Sequence, residues 1–144
     1  MATSPETTSE ARFMSLLDKW QKAEDQTIAH CQKMLEATDN ILVRTMADLI
    51  KADSVKHKEI LTMIGQAMEG AITLRPEELG TISELITEHL EIERSSISLA
   101  MEEFQNSRNF VVRQLLSYLL EDEKKHFKLL TQLNDYKRQL YPYA

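Results

Sequence analysis

Glycine, proline and cysteine are scarce in this 144-residue chain: three Gly, three Pro and a single Cys. So little turn punctuation excludes folds built from many short strands and tight turns. One cysteine excludes an internal disulfide, and a reducing, cytoplasmic setting is the expectation. Positive charge is also short: the formal net charge is -6 and the isoelectric point about 5.2. No Lys/Arg cluster could neutralise a row of phosphates, so nucleic acid is excluded as a partner. Lys56, Lys58, Lys124, Lys125 and Lys128 read instead as solvated helix faces. No apolar run approaches the length of a membrane span or a signal-peptide core, so no membrane partner is expected.

What is plentiful is Leu, Glu, Lys, Ala, Met and Gln. These residues lose little side-chain freedom in a helix, so the composition predicts an all-α fold. The length suits one domain with a sizeable core.

The most telling pattern is an internal repeat at an offset of 69 positions (93 minus 24, and 126 minus 57). Without a gap, Asn40, Val43, Arg44, Asp53, Lys56, His57 and Leu61 meet identical residues at Asn109, Val112, Arg113, Asp122, Lys125, His126 and Leu130. Glu24 falls on Glu93. Neighbouring positions exchange like for like, as Ile41 with Phe110, Met46 with Leu115, and Ile50 with Leu119. Two copies of one fold unit are implied, each too short to bury a helical face alone. One pair breaks the symmetry: Ser54 stands where the second copy has Glu123.

Residues 1–8 are small, polar and aperiodic, which predicts a disordered tail before an N-cap at Thr8 or Ser9. The domain is expected over residues 9–138, with repeats at about 9–69 and 78–138 and a short C-terminal tail at 139–144. Apolar residues at three- and four-residue steps mark four helices. The inward faces are predicted to carry Phe13, Leu16, Leu17, Trp20, Glu24, Ile28, Cys31 and Leu35 on the first. The second carries Val43, Ala47, Ile50, Ser54, His57, Leu61 and Ile64 from Ile41 to about Glu69. The third runs from about Pro76 to Phe104, with Gly80 a candidate break, and carries Ile82, Leu85, Ile86, Leu90, Glu93, Ile97 and Phe104. The fourth covers about Asn109 to Gln139 and carries Val112, Leu116, Leu119, Glu123, His126, Leu130 and Leu133. Short turns at 38–40 and 106–108 make two antiparallel hairpins, and the stretch after Gly70 is the one long connection. Two hairpins joined by a crossover describe an antiparallel four-helix bundle.

Charged residues on apolar faces are the candidates for chemistry. Glu123 and His126 stand three apart, so they lie about 60° from each other around a helix and can project into one interior. An isolated E-x-x-H step is common on exposed helices. Here it coincides with a Glu on each of helices one and three and a His on helix two, at equal spacings of 30 residues from Glu24 to Ser54 and from Glu93 to Glu123. Buried carboxylates with imidazoles suit a transition-metal cation, and burying them without one would be costly.

On these residues the chain resembles the ferritin-like superfamily, and within it the rubrerythrin or erythrin branch, over roughly residues 9–138. The resemblance implies a di-iron carboxylate centre, with manganese or a single metal as variants, that reacts with oxygen or hydrogen peroxide as a ferroxidase, oxidase or peroxidase. It assigns Glu24, His57, Glu93, Glu123 and His126 as metal ligands. Ser54 departs from the pattern, because a neutral hydroxyl is a poor ligand for a hard divalent cation. No Cys-x-x-Cys pairs are present, so there is no rubredoxin-like relay and electrons would come from a separate donor. The alternative is a ferritin-like scaffold with a degenerate or mononuclear site that serves as a non-catalytic interaction module.

Other residues read more plainly. Arg44 and Arg113 are expected to cap or brace a neighbouring helix with an ion pair, and Asp53 to be structural or to support the ligands. Trp20 and His89 occupy equivalent positions one turn before Glu24 and Glu93, at one end of the core, with His89 a candidate extra ligand or proton donor. His30 is expected to be solvated and Cys31 to behave as a small hydrophobe. Tyr136, Tyr141 and Tyr143 form a terminal aromatic cluster suited to packing or to a homodimer contact.

Overall fold

A computed structural model describes residues 5–140, and the side chains of residues 9–136. The described residues are all-α, in four long helices: α1 (Pro5–Ala37), α2 (Ile41–Met68), α3 (Pro76–Asn106) and α4 (Phe110–Leu140). α1 pairs with α2 and α3 with α4, giving two helical hairpins that form separate compact units divided between Thr73 and Leu74. The expected all-α fold of two repeated hairpins is therefore present.

The ends follow from local chemistry. Asn40 stands outside α2 in extended conformation, and its side chain accepts from the N–H groups of Leu42 and Val43. Asn109 does the same for Val112 at α4, so the repeat reaches down to the caps. α2 ends at Met68, and two residues on Gly70 turns the chain away with a φ of 79°, in the left-handed region. The N–H of Gly70 donates to the Ala67 carbonyl and that of Ala71 to the Gln66 carbonyl, which closes the orphan carbonyls of the last turn. α3 opens on Pro76, with the Arg75 N–H donating to Glu78 at 2.8 Å. That hydrogen bond holds the Glu78 carboxyl below its ordinary range.

Three boundaries differ from expectation. α1 begins at Pro5 rather than after Thr8 or Ser9, since a proline at the first helical position has no N–H to leave unpaired. Gly80 does not interrupt α3, because the turns on both sides of it are helical and no steric demand singles it out. α4 continues to Leu140, past the expected domain end at 138. Tyr141 and Tyr143, like residues 1–4 of the expected tail, lie outside the described residues.

Packing within each hairpin follows one seam of period seven. Leu17, Glu24 and Cys31 of α1 are buried against Ala47, Ser54 and Leu61 of α2. In the second hairpin Leu79, Ile86 and Glu93 are buried on α3. Their α4 counterparts Leu116, Glu123 and Leu130 are half-buried. A seven-residue seam is how two helices stay in register along their length.

Several residues expected inward are not on this seam. Val43 and Val112 are 44% and 42% exposed, and Ile50 and Leu119 are 48% and 49% exposed. Leu16, Trp20, Leu85 and Leu133 are exposed as well. Two helices meet along a narrow stripe, so the wider apolar arc that periodicity detects is only partly covered by one hairpin partner. The near-identical exposures at equivalent positions show that the same stripe is left open twice.

Candidate metal site

Each hairpin sets one glutamate into its seam. At the turn end, Arg44 Nη1 donates to the carbonyls of Leu35 and Thr38, and Arg113 Nη1 donates to those of Phe104 and Ser107. Both arginines thus cap the preceding helix, through its carbonyls rather than through the expected ion pair, and Arg113 also lies 4.0 Å from the centroid of the Phe104 ring. With the turns locked identically, α1 and α2 meet in the same register as α3 and α4. That register puts Glu24 opposite Ser54 and His57, and Glu93 opposite Glu123 and His126.

In the first hairpin Glu24 is served entirely by donors. Trp20 Nε1 donates to Glu24 Oε1 at 3.1 Å, and His57 Nδ1 lies 3.3 Å from the same oxygen. The Ser54 hydroxyl adds a further hydrogen bond and is the largest influence holding the Glu24 carboxyl below its ordinary range. Burial opposes it, and Trp20 and His57 assist. Indole N–H is a donor with no lone pair to offer, so Trp20 can serve a carboxylate but cannot bind a cation.

In the second hairpin both of those positions change. His89, equivalent to Trp20, places Nε2 3.1 Å from Glu93 Oε1, and His126 Nδ1 lies 3.3 Å from the same atom. Glu123, equivalent to Ser54, is an acceptor when ionised and its Oε2 is 3.9 Å from His126 Nδ1. Glu93 is 5% exposed, and its second oxygen Oε2 is buried with no hydrogen-bond partner. Ligand atoms of Glu93, Glu123 and His126 all lie within 4.8 Å of one another, the one such cluster among the described residues. Interaction with Glu93 and burial push Glu123 up, while the hydrogen bond from Glu123 holds Glu93 down against its own burial.

A cleft of about 330 Å³ opens over this cluster, lined by His89, Glu93, His126, Leu129 and Leu130. Of the five residues assigned from the sequence, the structure thus joins Glu24 with His57 in one hairpin, and Glu93 with Glu123 and His126 in the other. The donor set of the second group fits a divalent transition metal, since two carboxylates and imidazole nitrogen are its preferred ligands and a buried carboxylate oxygen lacks a partner.

The flanking residues behave more simply. Asp53 is exposed, whereas its counterpart Asp122 accepts from Tyr118 and pairs with Lys125. Glu59 pairs with Lys56 on an exposed face away from the seam. His30 is exposed and Cys31 is a buried free thiol. What sequence reasoning underweighted is the pair Trp20 and His89, whose signal was their common position four residues before a buried glutamate. No described helix is long and apolar enough to cross a membrane. No protein family, curated protein or solved structure matches the chain.

Proposed function

We propose that this chain is a metal-binding protein whose second hairpin holds a divalent transition metal through Glu93, Glu123 and His126. The observation that carries the reading is the buried, unpartnered Glu93 Oε2 beside a second carboxylate and an imidazole. Iron is the first candidate, on the ferritin-like resemblance of the E-x-x-H step and its repeat, with manganese second. Bound iron would supply redox chemistry toward oxygen or peroxide, with electrons from a separate donor.

The residues of the chain have definable tasks in this reading. Glu93 contributes a fixed negative charge, because its neighbours on α3 and α4 hold it ionised. Glu123 contributes the second carboxylate, and a cation between it and Glu93 would offset the repulsion that pushes its pKa up. His126, with its side chain 44% exposed, stands at the cleft mouth where a small oxidant could enter. A two-iron centre using all five assigned residues is the finer reading suggested by the resemblance. A site with one cation is favoured by a specific observation: Glu24 already has three hydrogen-bond donors and no second carboxylate beside it.

Glu123→Ala should abolish metal uptake, whereas Glu59→Ala should leave it intact, because Glu59 lies on an exposed face away from the cluster. Equilibrium dialysis against Fe2+ under anaerobic conditions, and against Zn2+ in air, measures both. Equal affinity in the two variants would exclude the assigned ligand set.

A further inference from the structure

We propose that His89 is a fourth metal ligand, so that the second hairpin alone encloses the cation with two carboxylates and two imidazoles, one cation per chain. The inference rests on the metal-binding reading above and extends it to a residue that the E-x-x-H pattern does not include. Three observations support it. His89 Nε2 and His126 Nδ1 converge on one oxygen, Glu93 Oε1, at 3.1 and 3.3 Å. Neighbouring ligands of one cation with bonds of about 2.1 Å lie roughly 3.0–3.4 Å apart in tetrahedral or octahedral arrangements. The two nitrogens therefore meet on one oxygen of Glu93, and His89, which stands outside the group of ligand atoms lying within 4.8 Å of one another, has to turn toward His126 to join the shell.

The second observation is the cleft, whose walls include His89, Glu93 and His126 together, so His89 faces the same space as two of the three assigned ligands. The third is the natural comparison inside the chain. Trp20 and Ser54 replace His89 and Glu123 in the first hairpin: the indole has an N–H but no ring-nitrogen lone pair for a cation, and the hydroxyl donates to Glu24 where an ionised carboxylate could only accept. Glu24 is consequently saturated by N–H and O–H groups, while Glu93 keeps a buried oxygen with none. The positions that differ between a donor-filled copy and a donor-poor copy are the positions that decide whether a cation is needed, and His89 is one of them.

The bland alternative is that His89 only orients Glu93 through a hydrogen bond. Two variants separate the roles in the 144-residue chain. His89→Ala removes both functions. His89→Gln keeps an N–H donor for Glu93 but removes the imidazole. With the His89 side chain 52% exposed, both variants should retain wild-type helicity by circular dichroism. Zn2+ titration should give one cation per wild-type chain, and both variants should bind more weakly by at least the roughly 10- to 100-fold that loss of an outer-shell partner costs.

The readout beyond affinity is the ring-nitrogen spectrum of protein labelled with 15N-histidine, recorded with and without one equivalent of Zn2+. His89 Nε2 and His126 Nδ1 should move to the metal-bound position, while both nitrogens of His30 and His57 stay unbound. If only His126 moves, or His89→Gln binds Zn2+ as wild type does, His89 is a positioning residue and the inference fails while the metal reading stands. If His57 moves as well, the claim of one cation in one hairpin fails. If wild type takes up no Zn2+ and no histidine moves, the metal reading itself falls and this inference with it.

Discussion

Ser54→Glu converts the first hairpin toward the ligand set of the second, and its consequences can be worked out in both metal-free and metal-loaded states. Ser54 is 3% exposed and its hydroxyl is the strongest influence on the buried Glu24 carboxylate. Replacing it removes a hydrogen bond to a charged group, about 1.5–3 kcal/mol. The introduced carboxylate also faces Glu24 across the seam, where the two like charges repel, as Glu93 and burial push the Glu123 pKa up in the second hairpin. Metal-free Ser54→Glu should therefore unfold about 1.5–3 kcal/mol more easily than wild type in urea at neutral pH.

A cation should reverse the loss. Glu24, the introduced carboxylate and His57 would repeat the geometry of Glu93, Glu123 and His126, and free Zn2+ at 100 times its dissociation constant would return about 2.7 kcal/mol. Urea unfolding with and without Zn2+, together with metal content by mass spectrometry, measures both effects. The expected stoichiometry rises by about one cation per chain. A metal-free variant as stable as wild type, or a destabilised one that Zn2+ does not rescue, would refute the idea that position 54 decides the state of the first hairpin.

Three further outcomes follow from other contacts. Arg44→Ala and Arg113→Ala each remove two carbonyl contacts, but only Arg113 stacks on a ring, so the second should cost about 0.5–1 kcal/mol more by urea unfolding. Equal losses would show that the stack is without effect. Gly70→Ala should cost about 1 kcal/mol, because φ is 79° there and a Cβ is strained in that region even with open space around it; an unchanged midpoint would contradict this. Because the Glu24 pKa is depressed, its contribution to stability is fully present above the ordinary value of 4.5 and is lost as pH falls through its lower folded value. Ser54→Ala should shrink that acid-dependent part of the unfolding free energy, and an unchanged pH profile would count against the Ser54 hydrogen bond.

The repeat made much of this structure readable before any coordinates. Matched Asn, Arg and His residues at 40, 44 and 57 and at 109, 113 and 126 imply matched caps, turns and seam positions, and these are what the hairpins show. The helix boundaries were legible to within a few residues, because Asn40, Gly70 and Pro76 are local signals whose chemistry does not depend on distant contacts. The packing stripe was less legible. Helical periodicity reports every apolar residue on a broad arc, but a single partner helix covers only the positions spaced by seven, which is why Leu17 and Leu61 are buried while Leu16 and Ile50 are exposed. Trp20 and His89 were visible as an equivalent pair, yet their roles depend on side-chain direction. A residue four before a helical glutamate lies over the same turn, and whether it gives or accepts a hydrogen bond there is a matter of its chemistry and not of its hydrophobicity.

The two copies show why such a site changes at several positions together. A buried carboxylate must be met either by hydrogen-bond donors or by a cation, since leaving it unmet costs several kcal/mol. Replacing a ligand glutamate by serine converts an acceptor into a donor, and replacing a histidine by tryptophan removes a lone pair while keeping an N–H. Either change alone leaves a mixed set: with serine and histidine the cation lacks a carboxylate, and with glutamate and tryptophan a second buried charge has no counterion. The combination of Trp20 with Ser54 meets the central glutamate with donors, and the combination of His89 with Glu123 would need the proposed cation to do so. The unpaired oxygen of Glu93 is where the second combination lacks a partner, and the absence of any such oxygen on Glu24 among the described residues is what marks the first as complete.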